Sequence, residues 1–216
     1  MKETLMSKNI PANKIFVTGI PLSERFKESF DKNLICKKFD LSPNKKTILF
    51  FAGGEFGLGR KKTGLIFRAL IRIFRDYQIV AISGKNKKMF LKFNELVESY
   101  GVSDRVKVLD YTDKVPELMH ISSIVVTKPG GLTTTESLAS GLPIIVINPI
   151  PGQEEENASF LVNNGVAVWV KDDDNVARIF KDLYRHPEKI EKMQRCIPNL
   201  SRPNSTEDIC KILMNS

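Results

Sequence analysis

Residues Thr127 to Asn157 read TKPGGLTTTESLASGLPIIVINPIPGQEEEN, and the fold is decided by how this stretch is read. It follows on from an apolar strand (Ser123 to Thr127) and holds a Pro-Gly-Gly turn, a threonine-rich helix start, a second apolar strand (Pro143 to Ile147) and a polar loop entering another helix. Gly130 and Gly131 carry no Cβ, so a tight turn and a close ligand approach are both expected there. A helix starting near Thr133 would turn its free N–H groups and positive dipole end toward whatever lies above the strand, an environment suited to a diphosphate.

Outward from this stretch the same rhythm continues. Apolar runs at Thr47 to Ala52, Gln78 to Ser83, Val106 to Leu109 and Ala167 to Val170 join the two strands already named. Helix-period segments separate the runs: Lys62 to Arg75, Lys87 to Tyr100, Val115 to Ile121, Thr133 to Ser140 and Glu154 to Asn163. Continuous apolar strands between helices predict a parallel sheet buried on both faces. The fold class is therefore α/β, a doubly wound, Rossmann-like, mostly parallel six-stranded sheet with ligands at the carboxyl ends of its strands. Three more helices are expected at Asn175 to Arg185, Pro187 to Cys196 and Ser205 to Met214. Ahead of the sheet, residues 1 to 44 form a lead-in, with a short strand at Ile15 to Thr18 and a helix over residues 26 to 39; residues 45 to 216 form the main domain.

With 216 residues, 42% of them hydrophobic, the chain can bury one sizeable core. No apolar run approaches the ~20 residues of a membrane span and no signal-peptide core follows Met1, so a cytoplasmic protein is expected. Cys36, Cys196 and Cys210 show no CxxC spacing and suggest neither a disulfide framework nor a zinc site. The net charge of +8 is uneven: residues 1 to 110 hold 22 Lys/Arg against 11 Asp/Glu, residues 111 to 216 hold 11 against 14. Nucleic acid, an anionic membrane surface or a phosphorylated ligand would each answer that basic first half, but no nucleic-acid-binding signature accompanies it.

The first sheet strand leads into Gly53-Gly54-Glu55-Phe56-Gly57-Leu58-Gly59. Arg60 and Lys61 stand where a P-loop would carry Lys and Ser/Thr, which argues against a nucleoside triphosphatase and leaves a glycine turn close to a phosphate or sugar. Thr133 and Glu136 fit a capping box, in which both side chains satisfy helix-end donors; Glu136 instead suits the vicinal hydroxyls of a ribose. Gln153 to Asn157 permits the same two readings, dipole complement or sugar contact, and Asn157 is the residue a helix start explains least. His120 and His186 lack ligand spacing, and no nucleophile triad, HExxH or paired-carboxylate motif is present. The helix LIFRALIRIF, Leu65 to Phe74, is apolar nearly all round, which predicts burial in the core over a membrane-surface role.

The series VTGIPLSERF, ILFFAGGEFGLG, ISGKNKKM, VTKPGGLTTTESLASGLPIIVINPIPGQEEEN and NNGVAVWV resembles the C-terminal half of the monogalactosyldiacylglycerol synthases and processive diacylglycerol glucosyltransferases, relatives of the peptidoglycan N-acetylglucosaminyltransferase. The resemblance runs over nearly the whole chain from Ile15 and implies one half of a GT-B glycosyltransferase, with residues 45 to 216 as the donor domain. Motif by motif, it implies the Tyr111-Thr112 backbone beside uracil and Glu136 on the ribose. Gly130, Gly131, Leu132 and Thr133, with Gly53, Gly54, Glu55 and Gly57, would surround the diphosphate, and Gln153, Glu156 and Asn157 would hold the sugar. It implies a UDP-sugar donor, no metal, no catalytic residue in this half, and a partner N-terminal half, in cis or in trans, that brings the acceptor site and the base. Leu22 and Ser23 stand where many relatives carry a basic residue, and Arg25 follows only later.

Three functions are thus expected to compete. The first is the donor domain of an inverting transferase acting on a lipid such as diacylglycerol, peripheral on the cytoplasmic membrane face. The second is a non-catalytic nucleotide-sugar-binding module or a subunit of a split N-acetylglucosaminyltransferase. The third is a sugar-nucleotide epimerase, against which the PGQExxN series argues.

Overall fold

The computed structural model describes residues 2–52, 60–171 and 176–215. The expectations for Gly53, Gly54, Glu55 and Gly57 therefore lie outside the described residues.

The lead-in contains α1 (Lys2–Met6), a 3-10 turn at Glu24–Lys27 and α2 (Lys32–Lys38). Two expectations are corrected here. Ile15 to Thr18 is not a strand of the sheet: none of the sheet's strands pairs with it, and Phe16 and Val17 are exposed. Residues 26 to 39 are not one helix, because the Ser23 hydroxyl accepts from the Arg25 amide to start the turn and Asp31 accepts from the Asn33 and Leu34 amides to start α2. Local caps override the apolar spacing, and Leu34 faces solvent.

The six strands are β1 (Thr47–Phe51), β2 (Gln78–Ile82), β3 (Val106–Leu109), β4 (Ile124–Thr127), β5 (Ile144–Ile147) and β6 (Ala167–Val170). All pairings are parallel, in the order β3-β2-β1-β4-β5-β6. Every residue of β2, β4 and β5 is buried, as their unbroken apolar sequences require. Joining these strands are α3 (Arg60–Ile73), α4 (Lys87–Tyr100), α5 (Val115–Ile121), α6 (Gly131–Ala139) and α7 (Gln153–Asn163); α8 (Val176–Arg185), α9 (Pro187–Cys196) and α10 (Ser205–Met214) follow.

One face of the sheet packs on α3, α4, α8 and α9, where Phe50, Phe67 and Phe93 are fully buried with ring centroids 4.2 to 5.7 Å apart. Each such ring contributes about 1.5–3 kcal/mol by leaving water. Of the apolar positions in Leu65 to Phe74, Ile66, Phe67, Leu70, Ile71 and Phe74 enter this core, but the expected burial is not all round: Leu65 faces solvent beside Arg68 and Arg72. The opposite face packs on α2 and α5, and further along on α6 and α7. The chain runs outward from β1 to β3 and then returns to place β4 on the other side of β1. This reversal makes the crevice above the carboxyl ends of β1 and β4 the expected ligand position.

Candidate functional site

β4 ends at Thr127 and the chain turns over Lys128-Pro129-Gly130 into α6. Helix α6 begins two residues before the sequence predicts, with Gly130 as its N-cap and no side-chain cap. The capping-box expectation is therefore overturned: Thr133 lies inside the first turn and Glu136 three residues further along. Thr134 and Thr135 turn their hydroxyls back to the Gly130 and Gly131 carbonyls at 2.7 and 2.8 Å, and Ser137 does the same to Thr133 at 2.6 Å. The first intrahelical amide donor is Thr134, to Gly130. The amides of Gly131, Leu132 and Thr133 are left without an acceptor among the described residues, a concentrated positive end of the helix dipole.

Glu136 is half-buried, and burial pushes its carboxyl above its ordinary value, with no cation or hydrogen bond among the described residues to offset it. A half-desolvated carboxylate without a partner is suited to accept hydroxyl donors from a ligand.

The two glycines of the turn differ in what surrounds them. Gly130 has φ −69°, which any residue adopts, and a Cβ there would meet open space. At Gly131 a Cβ would lie 3.1 Å from Ile20 Cδ1, so this glycine admits the lead-in. Ile20 is fixed in turn by α10, since Ser205 Oγ donates to its carbonyl at 2.6 Å, and Thr206 Oγ1 bonds both the amide and the carbonyl of Leu22.

After β5, Gly152 takes φ 95°, ψ −125° as the N-cap of α7, a backbone position that does require glycine. Glu154 is bound internally: it accepts from the Ile150 amide at 2.7 Å and lies 3.7 Å from Lys128 Nζ. Asn157 donates from Nδ2 to the Pro129 carbonyl at 2.9 Å, so its amide braces the turn before α6. Gln153 and Glu156 are exposed. Asn148, which the sequence reading passed over, has φ 37° and a buried Nδ2 without an acceptor. Its strained conformation falls at the carboxyl end of β5, where the only sequence signal was the Asn-Pro dipeptide.

The Tyr111-Thr112 loop follows β3. Thr112 Oγ1 accepts from the Lys114 amide at 3.1 Å, and the Arg25 guanidinium grips the loop, bonding both oxygens of Glu117 and the Asp113 carbonyl, each at 2.8 Å. Tyr111 is exposed, with Lys85 Nζ 5.8 Å from its ring centre. Arg25 is thus committed to the protein. The described site residues named from the sequence follow the carboxyl ends of β3, β4 and β5, but β3 and β5 are four strand spacings apart, roughly 19 Å. Only an extended ligand reaches from Tyr111 past α6 to Gln153. Among the described residues, no group of three or more His, Cys, Asp or Glu side chains is placed to hold a metal ion.

Comparison with known proteins agrees with this geometry. The family model described as "Glycosyl transferases group 1" matches residues 32–200. The chain is 34% identical over 214 residues to the processive diacylglycerol beta-glucosyltransferase of Bacillus subtilis, covering 99% of this chain and 55% of that protein. It thus spans about half the length of the curated relatives it matches. Among solved structures, UDP-GlcNAc 2-epimerase from Neisseria meningitidis, bound to UDP-GlcNAc, superposes with TM-score 0.75 at 24% identity, over 100% of this chain and 59% of that one. MurG of Acinetobacter baumannii superposes with TM-score 0.69 at 17% identity, over 91% and 58%. At these identities the superpositions speak for the fold, which is that of one half of a GT-B protein. By sequence and by fold, the chain belongs to the group 1 glycosyl transferases.

Proposed function

We propose that this chain is the donor-binding half of an inverting glycosyltransferase that moves a hexose from a UDP-sugar to a lipid acceptor such as diacylglycerol. The observation that carries the reading is the half-buried Glu136, without a partner among the described residues, one turn beyond three α6 amides that likewise have no acceptor among them. Glu136 accepts the two ribose hydroxyls, and the Gly131, Leu132 and Thr133 amides take the diphosphate. Gln153 and Glu156 reach the sugar, while the Tyr111-Thr112 backbone borders the base.

In the transfer, an acceptor hydroxyl deprotonated by a base outside this chain attacks the anomeric carbon as the bond to UDP breaks. The charge arriving on the diphosphate is stabilised by the α6 amides and dipole, without a metal. The names of the curated relatives favour glucose and diacylglycerol, and a lipid acceptor would put the work at the cytoplasmic membrane face with an acceptor half completing the site. A non-catalytic binding subunit is the second reading, since every site residue proposed here contacts the donor and none acts on the acceptor.

Calorimetric titration with UDP, UDP-glucose, UDP-galactose and UDP-N-acetylglucosamine, in the presence of a chelator, tests the proposal. Shared binding of all four with one sugar preferred is the expected result. Absence of UDP binding by a folded chain would sink it. Binding without hexose transfer, even with a relative's acceptor half supplied, would select the non-catalytic subunit.

A further inference from the structure

The exposed face of α3 has no part in the site above. Its sequence, RKKTGLIFRALIRI, contains no acidic residue. Leu65, Arg68, Arg72 and the following Arg75 recur at helical spacing along one stripe, and all are exposed, Leu65 by 50%. The stripe forms one wall of a groove of about 600 Å³, and α8 forms the other, presenting Ala177 and Lys181. Among the described residues, Arg68, Arg72 and Lys181 make no ion pair. Arg75 donates from Nε to the Arg72 carbonyl and makes no ion pair among the described residues. Like charges at i,i+4, as in Arg68 and Arg72, destabilise a helix. Among the described residues lining the groove there is no acid to relieve them.

We infer that this groove docks the chain on an anionic phospholipid surface. Arg68, Arg72 and Lys181 would take headgroup phosphates between the two helices, and half-exposed Leu65 would face the acyl boundary. The apolar side of α3 stays in the core, so the contact lies at headgroup depth and inserts no helix. This mixture of cations and an exposed leucine, without interleaved aromatic side chains, suits a lipid interface better than nucleic acid. The inference rests on the lipid-acceptor reading, but its test is separate from that of donor binding.

Sedimentation of the purified chain with vesicles of phosphatidylcholine alone, or mixed with phosphatidylglycerol, supplies that test. Binding only to the mixed vesicles, released by high salt, is expected. The triple variant Arg68→Gln/Arg72→Gln/Lys181→Gln should lose on the order of a hundredfold in vesicle affinity, at about 1 kcal/mol per cation. The control Lys37→Gln/Lys38→Gln/Lys45→Gln removes the same charge from exposed positions elsewhere and should lose much less. Equal losses in the two variants would show a diffuse charge effect and overturn the proposal, as would equal binding to phosphatidylcholine or a preference for duplex DNA. UDP titration of each variant keeps the two readings apart: unchanged UDP affinity with lost vesicle binding supports the groove, whereas a wild-type chain that binds vesicles but not UDP retains the groove and loses the donor site.

Discussion

Asn157 Nδ2 lies 2.9 Å from the carbonyl oxygen of Pro129 and donates to it, joining α7 to the turn from which α6 starts. The residue that the sequence reading gives to the sugar thus braces the turn into α6, the end proposed above to take the diphosphate. Asn157→Ala removes one hydrogen bond, a stability cost of about 1 kcal/mol. It should weaken UDP and UDP-glucose by similar factors. Calorimetry checks this, since loss confined to UDP-glucose would make Asn157 a sugar contact and not a brace.

Glu136 gives a pH dependence with a definite sign. Burial raises its folded-state value, so the charged form costs folding stability above that value, and the cost is relieved as pH falls through it. Glu136→Gln should therefore leave the melting temperature unchanged or slightly raised at neutral pH, with the difference vanishing in acid. Hydroxyl donors from a ribose favour the carboxylate, so UDP binding should release a proton near the free-protein value and weaken as pH falls below it. A Gln variant with wild-type UDP affinity and pH profile would remove Glu136 from the site.

The Arg25 to Glu117 pair anchors the loop that carries Tyr111 and Thr112. Arg25→Ala leaves a largely buried Glu117 carboxylate with only Lys114, 3.9 Å away, and should cost about 1–3 kcal/mol of stability. Nucleotide affinity should fall alongside it, whereas affinity for pyrophosphate, which does not reach the β3 end of the sheet, should hold. Comparing UDP with pyrophosphate on this variant decides whether the loop contacts the base.

Gly131 and Ile20 form a steric pair. A methyl group at residue 131 would press on Ile20 Cδ1, so Gly131→Ala should cost about 1–3 kcal/mol by overpacking. Ile20→Val removes the opposing methyl and should recover most of that loss in a double-mutant cycle. Additive effects in thermal melts would disprove the contact.

The strands were legible because their chemistry is local: ILFF, IVVT and IIVI admit only burial on both faces, and each lies within a residue or two of its expected span. Helix starts were less so. The S/T-x-x-E pattern at Thr133 is as good a cap by sequence as any, but Gly130 already has the extended backbone of an N-cap, and the helix begins there. The resemblance of the TKPGG to PGQEEEN series was legible as well, because those residues are contiguous and specific in spacing.

Alone, the sequence determined the fold class, the family and the edge of the sheet at which ligands are expected, since all three depend on apolar period and on short contiguous motifs. Only the tertiary structure decided the strand order that sets β1 beside β4, and which polar side chains are already committed. Glu154, Asn157 and Arg25 have protein partners 26 or more residues away in the chain, and Glu136 has none among the described residues. Sequence records which groups are present; whether a carboxylate or amide is satisfied depends on contacts between distant segments, and those exist only once the chain has packed.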